Sequence, residues 1–172
     1  MTSLRPFHAM DIFAFNPTNL DPLTETYDLN FYLSYIARWP HLFNVAEGPS
    51  KSIDAYQTVE TVMAKLESSP PLSPPQHALP WHAHITALTV SPFSRRLGLA
   101  RTLSSSLGRS GDAYNAYFVD LFVRKSNRIA QRLYRGMGYS VWRTVREYYS
   151  DDLSGGEGGE DAWDMRKALG RD

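Results

Sequence analysis

The chain has 172 residues, 18 basic and 18 acidic side chains, a formal net charge of zero and no cysteine. Apolar residues make up 42 % and aromatics 13 %, enough for one domain over residues 1–172 with a substantial core. This composition excludes global disorder, a disulfide framework, a thiolate metal site and a cysteine nucleophile. No apolar run approaches the ~20 residues a bilayer needs, and the first residues carry no hydrophobic leader. The expectation is a soluble intracellular protein that does not enter membranes.

In chain order, residues 9–19 read as a short helix bounded by Pro17 and Asn19, and residues 20–27 as a loop turning at Asp21-Pro22. Phe31, Tyr32, Tyr35, Ile36 and Trp39 recur at helical spacing until Pro40 stops the helix. Residues 42–47 form a strand candidate. Residues 50–66 admit two readings: Ile53, Tyr56 and Val59 suggest helix, while the β-branched run after them favours strand from about residue 58. Residues 68–80 hold five of the eleven prolines and read as a loop insertion with extended backbone.

Residues 84–90 are β-rich and apolar, as in a buried strand. They lead through an arginine-rich turn into a helix ending near Leu107. Residues 117–123 form the next buried strand, and Ser126 is expected to cap a helix ending at Gly138. Residues 139–149 alternate as a strand, residues 151–160 read as a flexible acidic loop, and residues 161–169 as a last strand. Strand and helix alternate across residues 84–149, which describes a βαβ unit with added antiparallel strands.

The zero net charge hides an asymmetry. Residues 1–90 carry −4, residues 91–146 carry +9 and residues 147–172 carry −5. The basic segment is either prepared for an anion or paired with the acidic ends. Within it, Arg95-Arg96-Leu97-Gly98-Leu99-Ala100 joins a strand to a helix, where unpaired N–H groups and the helix dipole favour phosphate. Gly98 and Ala100 leave the backbone accessible, and Arg95 and Arg96 add charge. By spacing alone this R-x-x-G-x-A pattern also starts ordinary helices; its position favours the phosphate reading. No G-x-x-x-x-G-K-[ST] or G-x-G-x-x-G element is present.

Farther on, Asn127 and Tyr134 lie seven apart, ~10.5 Å along one helix face, a stripe able to touch two points of an elongated ligand. By spacing alone, Tyr134 reads rather as a core aromatic packing with Ala130. His77, His82 and His84 have no suitable ligand spacing, so no metal is expected. His84 and Thr86 share one face of a strand, either as a satisfied polar edge or as a binding pair.

The R-x-x-G-x-A turn resembles the acetyl-CoA-binding element of the GNAT acetyltransferases. Asn19-Leu20-Asp21-Pro22-Leu23-Thr24-Glu25-Thr26-Tyr27, Trp81-His82-Ala83-His84-Ile85-Thr86-Ala87-Leu88 and Phe118-Val119-Asp120-Leu121-Phe122-Val123-Arg124 resemble segments of the NatB-type N-terminal acetyltransferases. So do Gly138-Tyr139-Ser140-Val141, Glu147-Tyr148-Tyr149-Ser150 and Asp164-Met165-Arg166-Lys167-Ala168-Leu169. The resemblance spans the chain except about residues 50–80.

It implies an α/β GNAT fold, a mixed, mostly antiparallel sheet with a central βαβ acetyl-CoA-binding unit. It further implies transfer of acetyl from acetyl-CoA to the α-amine of Met-Asp, Met-Glu, Met-Asn and Met-Gln termini of nascent proteins. Val90, Arg95, Arg96, Gly98, Ala100, Asn127 and Tyr134 would hold acetyl-CoA, with Tyr134 protonating the departing thiolate or hydrogen-bonding to it. Glu25 would orient the α-amine and Tyr27 would shape the first-residue pocket. His84 and Thr86 would read the second residue, as neutral donors to the sp² oxygen its four side chains share. Tyr148 and Tyr149 would cover the peptide, with strand alternation letting only one of them face it unless the strand breaks there. Ile12, Phe13, Phe15, Phe31, Tyr32, Tyr35, Ile36 and Trp39 give the first two helices more large apolar surface than one core-facing stripe requires, unless the core consumes them all; the resemblance implies that a helical-repeat auxiliary subunit would dock there and bring the enzyme to the ribosome in the cytoplasm.

Rival readings are a GNAT enzyme of a small-molecule amine, a chain that binds CoA only as structure, and a nucleic-acid-binding module using residues 91–146. The last is disfavoured because the arginines are dispersed and no reader motif accompanies them.

Overall fold

The computed structural model of the chain describes residues 2–21, 24–62, 82–113, 116–150 and 158–170. The proline-rich residues 68–80 and most of the acidic loop, residues 151–157, lie outside the described residues, as does His77. Seven strands follow the hydrogen-bonded order β1-β2-β3-β4-β5-β7-β6 in a mixed sheet, mostly antiparallel with a parallel pair. The chain forms two compact units, Met1–Glu60 with Ile85–Ser110, and Thr61–His84 with Gly111–Asp172.

The first unit contains β1 (Ser3–Pro6), a 3-10 turn (Ala9–Phe13), α1 (Asn16–Asn19), α2 (Leu29–Arg38), β2 (Asn44–Glu47) and most of β3 (Ile53–Val62). β4 (His82–Val90) enters it at Ile85, and α3 (Leu99–Ala113) begins in it. β1 pairs antiparallel with β2, and β2 with β3. The core is aromatic: Phe7 stacks on Phe43 at 3.9 Å, and Phe15 meets Tyr32 edge-on at 5.1 Å. Two buried phenols share one acceptor, since Tyr32 Oη and Tyr56 Oη donate to Asn19 Oδ1 at 3.0 and 2.6 Å. A buried hydroxyl without such a partner is destabilising, so Asn19 fixes α1 against the core. A smaller cluster joins Ala46, Ala55 and Leu103.

Three expectations change here. The 9–19 helix is two pieces. The Asp11 carboxylate accepts from His8 N and from Arg5, which closes the 3-10 turn, and Pro17 then sits in the first turn of a separate α1. β3 starts at Ile53 rather than 58, because pairing with β2 overrides the helical spacing of Ile53 and Tyr56. β1 gave no local signal; it exists through its pairing with β2.

The second unit holds β5 (Phe118–Arg124), α4 (Arg128–Gly136), β6 (Ser140–Tyr149) and β7 (Glu160–Ala168), with β7 antiparallel to both β5 and β6. β7 takes Glu160 from the end of the expected acidic loop. Val119, Leu121, Val123, Ala162 and Met165 are buried. Asp164, fully buried, accepts from Arg143 at 3.0 Å and from Arg166 at 2.9 and 3.0 Å, so its charge is compensated. The cap of α4 is Asn127, whose Oδ1 accepts from Ala130 N at 3.0 Å, and not Ser126. Ser126 instead gives its N–H to Glu160 Oε1 at 2.7 Å. Gly138 follows α4 with φ +91°, the left-handed position glycine adopts without strain.

Candidate active site

In the first unit, β4 ends at Val90 and the chain turns through residues 91–98 into α3. Arg96 and Gly98 both take left-handed φ, 65° and 82°. Gly98 O accepts from Thr102 N at 2.9 Å and from Thr102 Oγ1 at 3.1 Å, which makes Gly98 the residue that caps the start of α3. No atom lies within 4 Å of where a Gly98 Cβ would stand, so the helix N-terminus opens onto space that a side chain would fill. Arg96 is exposed and Ala100 half-buried in the first turn of α3. This arrangement fits a pyrophosphate: positive dipole, accessible backbone and a cation beside it. Arg95 is placed differently from expectation. Its Nε donates to Val90 O at 3.2 Å and its Nη2 meets Asp21 Oδ2 at 2.6 Å.

Also in this unit, Glu25 and Tyr27 are half-buried on the loop before α2. The Tyr27 ring stacks on Phe31 at 3.9 Å, and its N–H donates to Tyr32 Oη at 3.2 Å. Thr86 Oγ1 lies 2.9 Å from Tyr35 Oη. Thr86 and Val90 are half-buried positions on alternate residues of β4.

The second unit carries the other candidates. Asn127 Oδ1 is spent on the α4 cap, leaving Nδ2 as the donor that can reach a ligand. Tyr134 is buried on α4, edge-on to Tyr139 at 5.6 Å. Burial raises the pKa of its phenol well above the ordinary range, so it stays protonated and able to donate. His84 Nδ1 lies 2.8 Å from Asp120 Oδ1, and its ring tilts against Phe122 at 5.4 Å. Phe122 stacks on Tyr148 at 4.5 Å, and Tyr148 meets Tyr149 edge-on at 5.0 Å. The Arg124 guanidinium lies 4.0 Å over the Tyr149 ring.

Strand alternation does break before the tyrosine pair. Glu147 has φ 49°, its N–H donates to Asp161 Oδ1 at 3.1 Å, and the β6–β7 register shifts between Val145 and Tyr149. Such a bulge re-aims side chains. Among the described residues, no group of three or more His, Asp or Glu is arranged to hold a metal ion, and no helix is long and apolar enough to cross a membrane.

Asp120 and Asp21 carry no functional reading in the sequence, and Tyr35 reads there only as apolar surface for a partner. Asp120 did leave a signal: it is the one charged residue in the apolar run 117–123, and a buried carboxylate requires a partner. The polar partners of Tyr35 and Asp21, Thr86 and Arg95, lie far along the chain and left no sequence signal.

Residues 23–139 match the Acetyltransferase (GNAT) family. The N-terminal acetyltransferase B complex catalytic subunit naa20 of Schizosaccharomyces pombe is 47 % identical over 172 residues, covering all of this chain and 88 % of that protein. The crystal structure of Chaetomium thermophilum Naa20 in complex with a bisubstrate analogue superposes with a TM-score of 0.89 at 45 % identity, covering 97 % of this chain and 86 % of that one. A NatB acetyltransferase complex bound to CoA and MES gives a TM-score of 0.79 at 38 % identity, covering 98 % and 99 %. The chain belongs to the GNAT acetyltransferases, in the branch of the NatB catalytic subunits.

Proposed function

We propose that this chain is the catalytic subunit of a NatB-type N-terminal acetyltransferase, moving acetyl from acetyl-CoA to the α-amine of proteins that begin Met-Asp, Met-Glu, Met-Asn or Met-Gln. The observation that carries this reading is the left-handed turn at Arg96 and Gly98, open at the start of the 15-residue α3. Acetyl-CoA supplies an activated thioester. The N–H groups at the start of α3 and the Arg96 guanidinium bind its phosphates, and Arg95 braces the turn. Asn127 Nδ2 holds the arm of the cofactor, and the backbone at the Val90 end of β4 polarises the carbonyl.

The α-amine ordinarily titrates near 7.7–8.0, so freeing its lone pair costs little at neutral pH. Glu25 orients that amine and Tyr27 shapes the pocket for the first side chain. Tyr134, kept protonated by burial, donates a hydrogen bond to the departing sulfur. His84 and Thr86 meet the second side chain, and Tyr148 and Tyr149 cover the peptide.

An auxiliary helical-repeat subunit docks on the first two helices and brings the enzyme to the ribosome in the cytoplasm. Support for that surface is specific. The core takes Phe15, Tyr32 and Tyr35 and half-buries Ile12, Phe31, Ile36 and Trp39, yet Met10, Phe13, Leu29 and Leu33 remain exposed. The decisive experiment is an acetylation panel of peptides varied at their first two residues, with acetyl-CoA supplied. Turnover restricted to the four Met-initiated classes is expected. Turnover of small amines without peptide turnover would replace this reading with the small-molecule one.

A further inference from the structure

The bond between His84 and Asp120 limits what His84 can offer a substrate. A carboxylate only accepts hydrogen bonds, so the 2.8 Å contact from Asp120 Oδ1 requires the proton on His84 Nδ1. Asp120 is buried, and its other oxygen lies 3.7 Å from His82 Nε2, with the His82 ring stacked flat on Phe118 at 4.6 Å. With Nδ1 committed, Nε2 is the nitrogen left for a ligand. In the neutral ring Nε2 is bare and accepts; it donates only when the ring is an imidazolium. A neutral His84 N–H donor, the simplest expectation from the sequence, is therefore not what this geometry provides.

The four second residues then separate into two classes. Asp and Glu side chains, ionised, can only accept. Asn and Gln amides can accept through oxygen or donate through nitrogen. We propose that Asp120 is a positioning residue holding the His84 proton on Nδ1, so that Met-Asp and Met-Glu are taken only with His84 as imidazolium, whereas Met-Asn and Met-Gln are taken in either charge state. The imidazolium beside Asp120 is neutral as a pair, so it admits amides as well as acids, which a lone cation would not do evenly. Thr86, a hydroxyl that donates or accepts, can pair with any of the four side chains and so does not separate the two classes.

The surrounding charged and titratable groups are identifiable within the second unit. His82 lies on the same strand, and Tyr139 is close enough to Asp120 to sense its charge. Arg166 stands opposite Asp120 in the β5–β7 register but is bound to Asp164, which also holds Arg143. Tyr148 stacks on Phe122, the ring against His84. His82 is the other histidine of this set, so its ring signals must be resolved from those of His84.

This inference rests on His84 meeting the second residue, and the test separates the two. For peptides identical except for Met-Asp or Met-Asn, the ratio of kcat/KM values cancels titration of the α-amine and of the acetyl-transfer machinery. The ratio should fall at least tenfold as the pH is raised, in step with loss of the Nε2 proton of His84 followed by nitrogen NMR of the labelled histidines. In Asp120→Asn, the amide can donate to a bare Nδ1 and release the proton to Nε2, so Met-Asp turnover should persist at high pH and the ratio should flatten. A flat ratio in the unaltered enzyme, or an Nε2–H ring with bare Nδ1, overturns the proposal even if Asp120→Asn does not fold. Should His84→Ala keep the preference for Met-Asp over Met-Leu, the second-residue reading itself fails. Loss of that preference together with a flat parent ratio removes the protonation proposal alone.

Discussion

Arg95 reaches back 74 positions to Asp21, Nη2 to Oδ2 at 2.6 Å, while its Nε holds the carbonyl of Val90. The first arginine of the phosphate turn thus already has its anion and ties the loop before α2 to the end of β4. Removing the Asp21 charge would strengthen anion binding if Asp21 acted only through its field. As a brace it has the opposite sign. Asp21→Ala and Arg95→Ala are each expected to weaken acetyl-CoA binding roughly tenfold, about 1.4 kcal/mol, by isothermal titration calorimetry.

Gly98 has φ 82° and open space at its missing Cβ. An L-residue there meets no clash but incurs about 1–2 kcal/mol of backbone strain. Gly98→Ala should therefore lower Tm by several degrees and weaken acetyl-CoA binding. Gly98→Trp should abolish binding with the circular-dichroism spectrum preserved; unchanged affinity would remove the turn from the cofactor site.

Tyr134→Phe takes away one buried hydroxyl and leaves the packing against Tyr139. If the phenol donates to the leaving sulfur, kcat should drop about 100-fold with peptide KM little changed. A pre-steady-state measurement of acetyl transfer reads this directly, and an unaltered rate would give the proton to another donor.

Glu160 offers a stability test with a defined sign. Burial by itself raises its pKa, but hydrogen bonds from Ser126 and Arg124 outweigh it and the pKa is lowered. A carboxylate depressed on folding contributes fully above its unfolded value of about 4.3 and loses that contribution as pH falls through the folded value. Arg124 and Glu160 are both buried and 3.1 Å apart, so Glu160→Gln removes the carboxylate charge from a buried ion pair. Urea unfolding at pH 7 should show a loss of about 3 kcal/mol. The difference between the two proteins should shrink as the pH is taken below 4.

Phe13 is 82 % exposed and Met10 73 %. Phe13→Asp should change the stability of the isolated chain by no more than about 0.5 kcal/mol and weaken association with the auxiliary subunit at least tenfold. Unaltered association would place the docking surface elsewhere.

The turn from Val90 to Ala100 was legible in the sequence because its chemistry is local. A β-branched run, two arginines and a glycine between strand and helix leave few backbone solutions, and Gly98 takes the left-handed one. Gly138 was legible for the same reason. The proton on His84 was not, because its partner Asp120 stands 36 residues away and meets it only once β4 and β5 lie side by side. The fate of Arg95 depended likewise on Asp21, and the exposure of Phe13 on which aromatics the core had room for. The tyrosine pair shows the division within one segment. Alternation along residues 139–149 predicted a strand, but the bulge at Glu147 that re-aims Tyr148 and Tyr149 arises from pairing with β7 and from the Asp161 carboxylate. Spacing determines which conformations a segment can take; contacts closed over long loops decide which charge, proton and face each side chain finally presents.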